Sequence, residues 1–281
     1  MTTRGFGDRL AASMDDHGAI CVGIDPHPGL LDAWGLHDSV DGLRSFSLTV
    51  VDALGGRVGA FKPQVAFFER FGSAGIAILE EVIVACREAG SLCIVDAKRG
   101  DIGSTMTGYA QAFLADDSPL AGDAVTLSPY LGVGSLRPAL DMAAATGRGV
   151  FVLALTSNPE GAEVQHSRDA GGESVAAGVV RSLGAFNASC PFDRLGPAGV
   201  VIGATVGGAV RDLGVDVGSL HGPILAPGVG AQGAGPADIA TVFAGARSSV
   251  LASSSRAILA AGPEKKGLLM AYDEAVKGLI D

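Results

Sequence analysis

At 281 residues the chain is long enough for two small domains or for one α/β barrel. Its 30 acidic against 20 basic side chains give a net charge of −10, which excludes a nucleic-acid partner, because phosphate binding needs a basic face. Hydrophobic residues make up 48% but aromatics only 5%, so the core has to be built from Ala, Val, Leu and Ile, a composition suited to parallel strands buried under helices.

The N-terminal stretch MTTRGFGDRLAASMDDHG carries Asp8, Asp15 and Asp16 without a long apolar centre, so it is not expected to be a signal peptide. No uncharged apolar run reaches the roughly 18 residues of a membrane helix, and no membrane contact is expected. The first strand is expected at AICVGI (19–24), ending in GIDP with Asp25. The second, VGAFK (58–62), ends in FKPQ with Lys62 and Gln64, and GIAILEEVIVACREAG follows it at helical apolar spacing. The third, LCIVDA (92–97), runs into DAKRGD, four charges within six residues of a chain that is 18% charged. AVTLS (124–128) is the fourth, closed by SPY and followed by the helical LRPALDMAAATG. GVFVLAL (149–155) is the fifth and ends in TSNP. The segment 158–199 exceeds a minimal βα unit and is expected to hold a surface loop, a helix near 173–186 and a second loop through 190–197. GVVIGA (199–204), PILA (223–226) and SVLAS (249–253) complete the strands and lead into GATVGG, APGVGAQG and SSSR. The tail PEKKGLLMAYDEAVKGLI, opened by Pro263, has the pattern of an amphipathic closing helix.

Eight strand–helix units without a long linker predict a (β/α)₈ TIM barrel, with 1–281 as a single domain; an open doubly wound sheet is the alternative. Cys21, Cys86, Cys93 and Cys190 form no CxxC pair, so neither a disulfide framework nor a metal site is expected, and a cytoplasmic location fits. The five histidines are scattered without metal-ligand spacing, and no full GxGxxG follows the first strand.

Barrel enzymes draw their reactive groups from the C-terminal strand ends. Here polar residues gather at those ends while the strand bodies stay apolar. Asp96 and Lys98 lie two residues apart, so an extended strand turns both to one side, and Asp101 follows on a turn allowed by Gly100. Lys62 from the neighbouring strand reaches the same mouth, which suggests an alternating array of Lys62, Asp96, Lys98 and Asp101. A lone buried ion costs several kcal/mol of desolvation; a paired network is tolerable and keeps Lys98 charged, as a proton donor must be. APGVGAQG (226–233) can turn backbone N–H groups toward an anion, and Arg256 can clamp phosphate oxygens in bidentate fashion.

With these residues in view, DAKRGDIGSTMTGYA resembles the signature of the orotidine 5′-phosphate decarboxylase family, in its bacterial KRGD form. CVGIDP, FKPQVAFFE, LTSNP, APGVGAQG and SSSR fall in that family's order, from about Gly18 to Gly262. The resemblance implies decarboxylation of orotidine 5′-monophosphate to UMP without metal or cofactor. It implies Lys98 as the proton donor to C6, Asp96 beside the substrate carboxylate, and Lys62 and Asp25 on the ribose hydroxyls. Asp101 and Thr105 would be lent to the neighbouring subunit of a homodimer. Ser157 would bond the pyrimidine edge, with adjacent Thr156 as the alternative. Gln232, the amides of Gly228 and Gly230, and Arg256 would hold the phosphate. The loop after the seventh strand is shorter than in longer family members and has no tyrosine. Because DxKxxD also occurs in related barrels, two other readings are carried: a Mg²⁺-dependent sugar-phosphate lyase and a non-catalytic phosphometabolite-binding barrel.

Overall fold

The computed structural model describes residues 5–229 and 235–280. Eight parallel strands form one sheet: β1 Ile20–Ile24, β2 Ala60–Pro63, β3 Ile94–Arg99, β4 Ala124–Leu127, β5 Gly149–Leu155, β6 Ala198–Ile202, β7 Ile224–Pro227 and β8 Val250–Ser254. Every expected strand is present, with ends moved by at most two residues, most at β2, β3 and β6. The ladder runs in the order β2-β1-β8-β7-β6-β5-β4-β3. Parallel bridges Phe61↔Cys93 and Gln64↔Asp96 then join β2 to β3 and close the ring. The open doubly wound sheet is thereby overturned: neighbours in sequence are neighbours in space all the way round, and the last gap is bridged.

Helix α1 (Phe6–His17) precedes the barrel. The outer layer is α2 Val40–Leu54, α3 Gly72–Glu88, α4 Gly103–Leu114, α5 Arg137–Thr146, α6 Val175–Asn187, α7 Ala209–Asp212, α8 Pro236–Val242 and α9 Lys265–Ile280. Serine caps fix two of these starts, the Ser39 side chain accepting from Gly42 N and that of Ser174 from Ala177 N. The closing helix starts at Lys265, not at Pro263.

Period-two alternation divides the strand residues between two cores. Outward-facing residues such as Val22, Phe61, Val95, Val125, Val152 and Val200 pack under the helices. Inward-facing residues, one per strand, are Cys21, Ala60, Ile94, Ala124, Phe151, Val201, Leu225 and Leu251. The sequence reading left the N-terminal segment without structure, yet Phe6, Leu10 and Met14 of α1 join this inner layer and plug the barrel at its N-terminal end. The Phe6 ring meets Phe151 edge-on at 5.8 Å. It fits because β5 starts at a glycine: a Cβ on Gly149 would lie 2.0 Å from the Phe6 ring. The plug leaves the opposite, C-terminal end of the barrel as the open one.

Candidate active site

Two residues beyond the apolar layer, on the same inner face, the strands present Gly23, Lys62, Asp96, Thr126, Leu153 and Ser253. Here the interior turns polar: Lys62 and Asp96 are each only 7% exposed, and Thr126 is 1% exposed. The layer floors a cavity of about 770 Å³ whose described lining also includes Asp25, Gln64, Lys98, Gly228 and Arg256. That volume suits a small-molecule ligand. Leu153, Val201 and Leu225 give it an apolar wall.

Asp96 is the hub. Its Oδ2 accepts from Lys62 Nζ at 2.9 Å, and its Oδ1 accepts from Lys98 Nζ at 2.6 Å and from Thr126 Oγ1 at 2.7 Å. Burial opposes ionisation of Asp96, but the Lys62 and Lys98 ammoniums outweigh it and hold the carboxyl well below the usual carboxylate range. Burial likewise works against the charge on Lys62, and the carboxylates of Asp96 and Asp25 outweigh it, raising its pKa above that of an ordinary lysine. Both groups are therefore charged at neutral pH although they lie inside the barrel. Lys98 differs from Lys62 in access: its side chain is 41% exposed toward the cavity mouth, against 9% for Lys62. Beneath this layer, burial pushes the Cys21 thiol up to about 12, so it is a neutral filler and not a nucleophile.

Asp96 and Lys98 do share a side, but not for the expected reason. β3 is not extended at Lys98, whose φ of 48° lies in the left-handed region, at a cost of about 1–2 kcal/mol. The ladder to β4 shifts register between Val95 and Arg99. Lys98 enters the mouth from this buckle, where simple alternation would not bring it. Gly100 is also needed for another reason than a turn: a Cβ there would lie 2.3 Å from the Ser128 carbonyl oxygen.

Only two of the four charges in DAKRGD enter the site. Arg99 pairs with Glu69 and lies over the rings of Tyr109 and Phe113 at 5.9 and 5.8 Å, so it ties β3 to the outer helices. Asp101 does not join the array within this chain: it lies past the end of β3, and its Oδ1 accepts from Ile102 N at 2.8 Å. Thr105, in the first turn of α4, is exposed and does not line the cavity. Ser157 is exposed as well, and Thr156 is the one of that pair that lines the cavity.

Asp25, just past β1, lines the cavity next to Ser255, whose Oγ donates to Asp25 Oδ2. Gly23 makes room for that pair, since a Cβ there would lie 2.1 Å from Ser255 Oγ. The other oxygen, Oδ1, is buried and has no hydrogen-bond partner among the described residues. Gly228 (φ 100°) and Arg256, the first residue of the helix Arg256–Leu259, line the wall formed by the last two strands. Gly230 and Gln232 lie outside the described residues. Among the described residues, no three His, Cys, Asp or Glu side chains are grouped as a metal site, and no helix is long and apolar enough to cross a membrane. The sequence reading missed Thr126, Ser255 and Gly23. Thr126 was accessible to it, because counting two residues from the inward-facing Ala124 gives the level of Lys62 and Asp96.

Residues 18–269 match the profile of the orotidine 5′-phosphate decarboxylase / HUMPS family. An orotidine 5′-phosphate decarboxylase of Salinispora arenicola is 56% identical over 271 residues, 96% of this chain and 95% of the relative. One of Streptomyces coelicolor is 54% identical over 269 residues, 95% of this chain and 94% of the relative. A crystal structure of a Streptomyces avermitilis protein assigned to the same activity superposes with a TM-score of 0.94 at 53% identity, covering 100% of this chain and 96% of that one.

Proposed function

The chain belongs to the orotidine 5′-phosphate decarboxylase / HUMPS family, and we propose that Lys98, gripped by Asp96, is the acid with which it converts orotidine 5′-monophosphate to UMP in pyrimidine biosynthesis. The observation that carries this reading is the Lys62–Asp96–Lys98 network in the mouth of the cavity. When the C6–carboxylate bond breaks, CO₂ leaves and its bonding electrons stay on C6, where the ring offers no adjacent sink. The fixed Lys98 ammonium stabilises that charge and transfers a proton to C6; the neutral amine regains a proton from solvent. Asp96 repels the substrate carboxylate in the ground state and keeps Lys98 charged and oriented. Lys62 and the unpartnered Oδ1 of Asp25 are suited to the ribose hydroxyls, Arg256 and the Gly228 amide to the phosphate. On the family pattern Gly230 and Gln232 complete that grip, and Ser157 or Thr156 meets the pyrimidine edge. Remote phosphate contacts then supply binding energy that orders the reacting end.

No metal or cofactor takes part in this scheme. Enzyme dialysed against EDTA is expected to consume orotidine 5′-monophosphate at the untreated rate in a spectrophotometric assay. Activity lost on chelation and restored by Mg²⁺ would reject the scheme in favour of a sugar-phosphate lyase. A chain that binds the nucleotide without consuming it would be the non-catalytic barrel.

The active unit is a homodimer in which Asp101 and Thr105 reach the partner's cavity. In support, both lie outside the cavity of their own chain, and the segments after β3 and β4 expose apolar side chains, Ile102 (61%), Tyr130 (77%) and Leu131 (52%). The two loops that carry these residues touch where Gly100 packs against Ser128. Mixing inactive Lys98→Ala and Asp101→Ala subunits should regain about half of wild-type activity per mixed dimer, because one of its two sites is intact. Mixed dimers of verified composition that stay inactive would reject the crossing of Asp101. The whole chain is one barrel domain acting in the cytoplasm, a location supported by four free cysteines, three of them buried.

A further inference from the structure

We propose that Thr126 is the positioning residue that fixes Lys98 for proton delivery, an inference that rests on Lys98 being the acid. Between the ladder pairs Val95↔Val125 and Arg99↔Leu127, β3 carries Asp96, Ala97 and Lys98 where β4 carries Thr126 alone. The surplus buckles β3, and Lys98 takes the left-handed φ of 48° that side-chain-bearing residues seldom adopt. A backbone bent this way turns its N–H out of the regular ladder, and the Lys98 N–H donates to Thr126 Oγ1 at 2.9 Å. The same hydroxyl sends its own proton to Asp96 Oδ1 at 2.7 Å. That oxygen is the one receiving Lys98 Nζ at 2.6 Å.

The result is a closed circuit: Lys98 N–H to Thr126, Thr126 to Asp96, Asp96 to the Lys98 ammonium. One hydroxyl acts as acceptor and donor at once, so it holds both ends of the lysine and sets the angle between them. Thr126 is 1% exposed, which leaves little water to replace the lost bonds. A buried threonine in a strand commonly does no more than satisfy a neighbouring polar group. What separates Thr126 from that role is its donor, the N–H of the one residue on which the chemistry depends.

The test compares Thr126→Val, which keeps the branched shape and removes the hydroxyl, with Thr126→Ser, which keeps the hydroxyl. For Thr126→Val, kcat should fall on the order of 10²-fold, as expected for a misplaced reacting group, while the KM for orotidine 5′-monophosphate and the affinity for UMP stay near wild type. Thr126→Ser should restore most of kcat. If Thr126→Val does not fold, Thr126→Cys carries the same expectation, since a thiol is a weak donor and acceptor. A folded hydroxyl-free variant with undiminished kcat would overturn the proposal, as would equal losses of kcat and UMP affinity in the Val and Ser variants. The two readings separate through Lys98→Ala: wild-type turnover in that variant overturns both, whereas its inactivity beside a fully active Thr126→Val overturns only the role of Thr126.

Discussion

Lys98→Ala should lower kcat by at least about 10⁴-fold while leaving UMP binding close to wild type. Two contributions disappear together: delivery of a proton, worth about 10²–10⁴-fold, and stabilisation of charge on C6, worth about 10²–10³-fold. Binding is expected to survive because the proposed phosphate and ribose contacts lie on other elements: Arg256 and Gly228 follow the last two strands, Asp25 follows β1 and Lys62 lies in β2. Stability should hold as well, since Lys98 is 41% exposed and its removal leaves Asp96 still paired with Lys62 at 2.9 Å. Calorimetric titration with UMP and single-turnover consumption of orotidine 5′-monophosphate measure the two halves separately. A Lys98→Ala enzyme within tenfold of wild type would remove the lysine from the chemistry.

Asp96→Asn is expected to damage both stability and activity. It takes from the buried Lys62 ammonium its ion-pair partner, leaving only the Asp25 carboxylate to oppose burial, and breaking a buried pair in this way costs about 3–5 kcal/mol. Activity falls with it, because Lys98 loses its anchor. The pH dependence has a definite sign on each side. Asp96 is depressed in the fold, so its stabilisation is present above the ordinary carboxylate value of about 3.9 and is lost as pH falls toward the folded value. Lys62 is raised, so its stabilisation is present below the ordinary lysine value of about 10.4 and is lost as pH rises through the folded value. Wild type should therefore hold this contribution across the whole neutral range. In Asp96→Asn the part of the acid limb due to Asp96 vanishes. The alkaline limb moves toward neutrality, because burial then acts on Lys62 with only Asp25 to oppose it. Urea midpoints measured from pH 5 to pH 10 should keep this contribution constant in wild type and show it falling at the alkaline end in Asp96→Asn. Equal midpoints for the two proteins at pH 7 would contradict the buried network.

How far the site could be seen in advance depends on the range of the interactions involved. Lys62 and Asp96 were legible because each sits at the end of an apolar run, and burial of that run carries its last residue to the barrel mouth. Arg99 was not: whether the side chain after Lys98 turns inward or outward depends on Glu69, Tyr109 and Phe113, contributed by the helical layer. Asp101 reads as part of the cluster in one dimension and lies apart from it in three, past the end of β3. The place of Phe6 was not legible, since nothing local reveals that the chain's first helix turns back into the barrel against Gly149.

The number and order of the strands, their parallel burial, and which strand ends carry charge follow from the order of residues, because alternation and apolar runs are properties of consecutive residues. The tertiary structure alone decided which of those charges meet. The three residues of β3 set against Thr126, the left-handed turn at Lys98 and the Ser255 hydroxyl held against Asp25 all arise between segments far apart in the chain. Pairing of β3 with β4 and of β1 with β8 brings those segments within hydrogen-bonding distance.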